Sequence, residues 1–237
     1  MIELSYNGIR SVGGGFQRCR SLNGVVLINL TGNELDGASL KSLMDSTRSC
    51  ASSLTVVMAY NNVSVVPGTL LGFVNSRQRL CPVPPCASTI DLTIDLSHNP
   101  ITVVSPTAWS SLPVQGNSQT SHVRNLIIDL SNPTAAFAPS TFAFSHVRWS
   151  ATSTSTVSIN LGGNRGVDLA TICTLFNTPN MPETKNISIS LPSNSYTQIS
   201  SGVFDGCRIN HLDLKYNNIT QVSSHAFGHF CASLPVF

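Results

Sequence analysis

Cys81 and Cys86 bracket the run CPVPPC, and a thiol pair at that spacing can close a small disulfide loop or supply half of a zinc site. No second cysteine pair and no spaced histidine pair accompanies it, so zinc lacks its remaining ligands and no metal is expected. All seven cysteines, at positions 19, 50, 81, 86, 173, 207 and 231, fall outside the segments that read as strands. Two readings of them stay open. Cys207 fills a slot that a small buried hydrophobe would fill. Alternatively the chain occupies an oxidising compartment, with Cys81 closed on Cys86 and Cys207 bonded to Cys231. Other reactive patterns are missing: there is no phosphate loop, nucleophile elbow, carboxylate pair or metal-binding helix. GGG at 13 to 15 lacks the downstream Lys-Ser/Thr of a phosphate loop and reads as a turn. The six histidines are scattered, with His98 alone at the edge of a predicted strand. The expectation is a protein without catalytic activity or cofactor.

The elements that position these residues follow from a recurring phrase. In IxxLxLxxNxIxxV, residues 209 to 222, aliphatic residues alternate, an asparagine follows, and apolar residues return two, five, ten and thirteen positions later. SISLPSNSYTQISSGVFDGC (188 to 207) and TIDLSHNPITVVSPTAWSSL (93 to 112) share these offsets. Looser copies centre on Asn7, Asn33, Asn61, Asn132 and Asn164; Asn132 sits one residue early, and Gly166 occupies a slot where an aliphatic residue belongs. With Asn99, Asn194 and Asn217 the phrase occurs about eight times, at separations of 26, 28, 38, 33, 32, 30 and 23 residues. Its first half predicts a short strand with one buried and one solvated face. Its second half is a return path over the same core, which stacked units can bury and a single unit cannot. The asparagine stands where the strand turns inward; an amide that both donates and accepts can satisfy turn backbone from unit to unit.

These residues resemble the leucine-rich repeat family, in the variety with a Phe on the return path familiar from extracellular receptors and adhesion proteins. The resemblance runs from about Ile2 to Phe230. It implies an α/β fold: a curved solenoid with a parallel sheet on the concave face and loops and short helices on the convex face, spanning residues 1–237 as one domain. It also implies protein binding, commonly on the concave face. The units are longer than that variety's usual length, and VQGNSQTSH (114 to 122) and SATSTSTVS (150 to 158) read as loops. Neither end carries a clear cap, so a fragment of a larger protein is expected.

Composition narrows the partners. Charged residues make up 10% of the chain and the net charge is +2, so nothing marks a nucleic acid or an anionic membrane as partner. The longest apolar runs, such as VVLINL at 25 to 30, are strand-sized, so no membrane insertion is expected. The N-terminus has no basic start and apolar segment of a secretory signal. The triplets NLT, NVS, NIS and NIT at Asn29, Asn62, Asn186 and Asn218 carry no argument for secretion, because a chain this rich in Ser, Thr and Asn produces them by chance.

If the strands stack in register, their outward positions form a ladder. Tyr6, Tyr60, Asp95, His98, Asp129, Asp213, Lys215 and Tyr216 are its candidates for contacting a protein ligand, with tyrosine offering large contact area and a polar tip. The functional expectation is a ligand-binding or adhesion segment of a surface or secreted receptor-like protein. The alternative is an intracellular scaffold or regulatory repeat protein in the cytoplasm.

Overall fold

The computed structural model describes residues 1–13, 24–47, 51–72, 74, 89–109, 122–132, 155–175 and 185–228. Alternation of apolar and polar residues fixes its strands. In Thr89–Asp95, Ile90, Leu92 and Ile94 point inward and are buried, while Thr89, Asp91, Thr93 and Asp95 point outward. The strands are β1 (Ile2–Glu3), β2 (Gly24–Asn29), β3 (Ala51–Val57), β4 (Val65–Val66), β5 (Thr89–Asp95), β6 (Val103–Val104), β7 (His122–Asp129), β8 (Ser155–Asn160), β9 (Lys185–Ser190), β10 (Gln198–Ile199), β11 (His211–Asp213) and β12 (Gln221–Val222).

Eight of these strands form one parallel sheet in the order β1-β2-β3-β5-β7-β8-β9-β11. Parallel pairing demands a crossover after every strand, and four of the return segments pair as well, β4 with β6 and β10 with β12, in parallel. The fold is therefore α/β with a large parallel sheet and few helices. Helix α1 (Gly37–Ser46) buries Leu40, Leu43 and Met44; Asp36 caps it by accepting from the Ser39 N–H at 2.8 Å. Helix α2 (Leu169–Ile172) continues into a single 3₁₀ turn at Cys173–Leu175.

One core lies between the sheet and the return segments. The buried sheet residues Ile28, Val56, Ile94, Ile128, Ile159 and Ile189 are neighbours in register, so each aliphatic position continues as a row across the sheet. Val63, Val66, Ile101, Val104, Trp109, Ile199 and Phe204 close over the far side. Trp109 and Phe204, both ten past an asparagine, are fully enclosed, and Phe204 stacks on the next such residue, Phe227, at 5.3 Å between centroids. Enclosing an aromatic side chain of this size stabilises the fold by about 2–3 kcal/mol.

The Ser/Thr-rich stretches differ in part from the expected loops. His122 begins β7, and Ser155–Ser158 form the first four of the six residues of β8, because Thr156 and Ser158 face outward while Val157 and Ile159 face inward. Hydroxyl residues fit a half-buried pleated face when their neighbours supply the apolar side. Residues 114–121 and 150–154 lie outside the described residues, as do GGG at 14 and 15 and Phe230. Among the described residues, no helix is long and apolar enough to cross a membrane.

Candidate interaction surface

The C-terminal ends of the sheet strands carry three columns of side chains, each set by distance from the unit's asparagine. The first is the asparagine itself. Asn33, Asn61, Asn99, Asn164, Asn194 and Asn217 each donate through Nδ2 to a carbonyl of the preceding unit, Leu4, Leu30, Met58, Leu130, Leu161 and Leu191 respectively, at 2.8–3.1 Å. The Oδ1 atoms of Asn33, Asn61 and Asn99 accept the backbone N–H two residues past the preceding asparagine, from Ile9, Leu35 and Val63. Asn217 accepts from Asn194 and Tyr196 in the same way. Asn7 is exposed and bonds only to Leu4 and Ser5 carbonyls of its own unit. Asn132 sits one residue early, and its amide reaches the Asn99 carbonyl where the others reach a leucine or methionine.

The second column is the residue before the asparagine. Tyr6, Gly32, Tyr60, His98, Gly163, Ser193 and Tyr216 all have φ between 52° and 75°. The asparagine amide folds back on the carbonyls two and three residues before it, and the tight turn this requires puts the intervening residue in the left-handed region. Glycine adopts that conformation without strain; tyrosine and histidine do so at a cost of about 1–2 kcal/mol each. The side chains that bear the cost are exposed: Tyr6 is 77%, Tyr60 54% and Tyr216 85% accessible. The Tyr6 ring lies over Gly32, where a Cβ would collide with it. Tyr60 and His98 stack at 4.2 Å between centroids with planes 14° apart.

The third column ends the strands: Glu3, Asn29, Val57, Asp95, Asp129, Asn160, Ser190 and Asp213, neighbours in register across the whole sheet. Five of them accept, through Oδ1, the backbone N–H two residues on: Asn29 from Thr31, Asp95 from Ser97, Asp129 from Ser131, Asn160 from Gly162 and Asp213 from Lys215. The acids at 95, 129 and 213 thus tie down turn backbone with one carboxylate oxygen. Asp129 Oδ2 also accepts from Asn160 Nδ2 at 3.0 Å. Lys215 Nζ stands 3.9 Å from Asp213 Oδ2, a loose and exposed ion pair. Glu3 accepts from Asn29 Nδ2, and its hydrogen bonds with Ser5 and Asn29 hold its carboxyl below the usual range.

Two further outward rows complete the open face. The middle row reads Leu27, Thr55, Thr93, Ile127, Ser158, Ser188 and His211. At the strand starts, the Arg124 guanidinium makes two bonds to the Asp91 carboxylate, and Asn125 bridges Asp91 to the Thr156 N–H at 2.9 Å on each side. Arg124 holds the Asp91 carboxyl below the usual carboxylate range. This face is mostly neutral and polar. Among the described residues no three His, Cys, Asp or Glu side chains converge as metal ligands.

Away from this face, a cleft of about 630 Å³ opens beside α2, lined among others by Arg165, Asp168, Asn194, Tyr196 and Gln198. The unit is irregular here. Gly166 stands two past Asn164, but Val167 N–H turns back to the Asn164 carbonyl, and buried Asn194 Oδ1 has no donor among the described residues. The Tyr196 hydroxyl donates to the Val167 carbonyl at 2.9 Å, and burial, with the nearby Asp168 carboxylate, pushes its pKa up.

The sequence-derived candidates therefore fall in two adjacent columns: Tyr6, Tyr60, His98 and Tyr216 at the turns, Asp95, Asp129 and Asp213 at the strand ends, with Lys215 between them in its unit. Asp91 and Arg124 were not among those candidates; a charged residue on each of two predicted strands was the only signal for them. Cys207 pairs with Cys173, one unit earlier, with Cα atoms 4.7 Å apart, and not with Cys231 as anticipated. Cys173 follows α2 and Cys207 ends the next return segment, so the two stack where the return paths lie side by side. Cys81, Cys86 and Cys231 lie outside the described residues. No protein-family model, curated protein or solved structure matches the chain.

Proposed function

We propose that the chain is a non-catalytic protein-binding module of the leucine-rich-repeat type, a curved solenoid that takes its ligand on the open face of the sheet. In this reading it is the ligand-binding or adhesion segment of a surface or secreted receptor-like protein. The observation that supports it is the eight-stranded parallel sheet, whose outward rows run in register and carry small polar side chains between columns of exposed tyrosines and acids. An array of Ser, Thr and Asn with a few aromatic anchors suits a protein interface, where large rigid side chains contribute most of the affinity and their neighbours exclude water. The Cys173–Cys207 pair supports an oxidising compartment.

The test uses the purified chain as bait against a panel of defined secreted proteins and ectodomains from the same organism. Binding is compared with a double variant, Thr93→Arg/Ser158→Arg, which places two bulky charges in the middle of the open face. A partner that loses at least tenfold in affinity supports the reading. Partners that bind both forms equally, or no partner across the panel, refute it. Thiol trapping at lysis addresses the compartment: Cys173 and Cys207 both free in native protein would favour a cytoplasmic scaffold.

A further inference from the structure

We infer that the segment this face takes is cationic, with an Arg or Lys side chain seated on the Tyr60–His98 stack beside Asp95 and Asp129; the inference rests on the open-face reading above. It comes from comparing what each column needs for folding with what stands there. The turn position before the asparagine needs only a residue that tolerates positive φ, and Gly32 and Gly163 fill it in two units without strain. Tyr60 and His98 take that conformation at a cost and present a stacked aromatic pair to solvent. The strand-end position needs only an oxygen to accept the N–H two residues on, and Asn29 and Asn160 supply it without charge. Asp95 and Asp129 place two carboxylates side by side, in register on adjacent strands about 4.8 Å apart. Like charges at that spacing repel.

Both departures from structural need meet in the same place. The turns are locked against each other, with Tyr60 N–H donating to Ser97 O at 3.1 Å and His98 N–H to Ser131 O at 2.8 Å. Neither Asp95 nor Asp129 forms an ion pair among the described residues, and Asp95 Oδ2 has no partner there. An aromatic face attracts a guanidinium or ammonium, and an adjacent carboxylate completes its hydrogen bonding. A cation on this spot relieves the Asp95–Asp129 repulsion and covers the exposed rings.

The probe is a phage-displayed library of random linear 12-residue peptides, selected against the purified chain, with enriched peptides synthesised for affinity measurement. Two variants are folding controls as well as tests. Tyr60→Gly puts the residue of Gly32 and Gly163 into the same slot, and Asp95→Asn puts that of Asn29 and Asn160 at the strand end, so neither threatens the fold. The expected result is enrichment of Arg or Lys over the naive library, a loss of at least tenfold in affinity for each variant, and weakening with added salt. Enriched peptides without excess Arg or Lys that still lose affinity with Tyr60→Gly overturn the cationic inference and leave the open-face reading standing. Peptides indifferent to both variants and to Thr93→Arg/Ser158→Arg, or a selection that enriches nothing, overturn both.

Discussion

The ring of Tyr60 stacks on the ring of His98 at 4.2 Å although both residues hold a left-handed backbone, with φ of 54° and 58°. Strain and stacking oppose each other at this pair, and Tyr216 shows the strain by itself: its φ is 58° and it has no ring neighbour among the described residues. Tyr216→Gly is therefore expected to raise stability by about 1 kcal/mol, the cost a non-glycine residue bears at positive φ. For Tyr60→Gly the gain is offset by the lost stack, worth about 0.5–1.5 kcal/mol, and the net change is close to zero. Urea unfolding of the two variants checks this. Destabilisation of Tyr216→Gly by more than 1 kcal/mol would show that the ring is held by packing.

Asn99 is completely buried; its amide donates to the Met58, Leu96 and Ser97 carbonyls and accepts the Val63 N–H. Asn99→Ala removes all four bonds; Met58 O keeps Asn61 Nδ2 and Ser97 O keeps the Tyr60 N–H, so the Leu96 carbonyl and the Val63 N–H are left without these partners away from water. At about 1–3 kcal/mol for each of these two groups, a loss of at least about 2 kcal/mol is expected. Asn7→Ala, exposed and bonded only within its unit, is expected to cost less than 1 kcal/mol. Amide exchange at Val63 gives a local readout, with faster exchange expected in Asn99→Ala and unchanged exchange in Asn7→Ala.

The parallel strands were legible because a period of two is written directly in residues such as Ile90, Leu92 and Ile94, and burial obeys it. The backbone at the turns was not. Tyr60 belongs to no residue class that announces positive φ, and the geometry of the asparagine amide imposes it there. Asp95 and Asp129 read as ligand-facing acids, yet each also fastens the N–H two residues ahead, a role that chemistry shares between Asp and Asn. The partner of Cys207 escaped for a different reason: spacing along the chain says which residues end return segments, not which neighbouring unit carries the facing thiol. Cys173, in a unit whose phrase is loose at Gly166, gave no such cue.

Cys173 and Cys207 are 34 residues apart in sequence, and cross-linking them limits the unfolded chain. For a loop of that length the entropic contribution is about 4 kcal/mol, so Cys173→Ser/Cys207→Ser is expected to lower unfolding stability by about 2–4 kcal/mol. The bond is observable directly: peptide mapping after alkylation without reductant should find both residues unlabelled and joined. A Cys207–Cys231 peptide in that digest would contradict the pairing across units 164 and 194.

Asp91 and Arg124 give the open face one source of pH dependence at the acid end. The Asp91 carboxyl, bonded to Arg124 and Asn125, titrates below its unfolded value of about 3.9, so its contribution to stability is complete above that value and disappears as pH falls through the folded one. Asp91→Asn lacks this contribution throughout. The gap in urea midpoint between the two proteins is therefore expected to be constant from about pH 5 to 7 and to close below about pH 4. The bond from Asn125 to the Thr156 N–H depends on the same geometry, and Thr156 amide exchange should accelerate over the same range in the unsubstituted protein. A midpoint gap that persists undiminished at pH 2 would mean that Asp91 acts by packing and not through its charge.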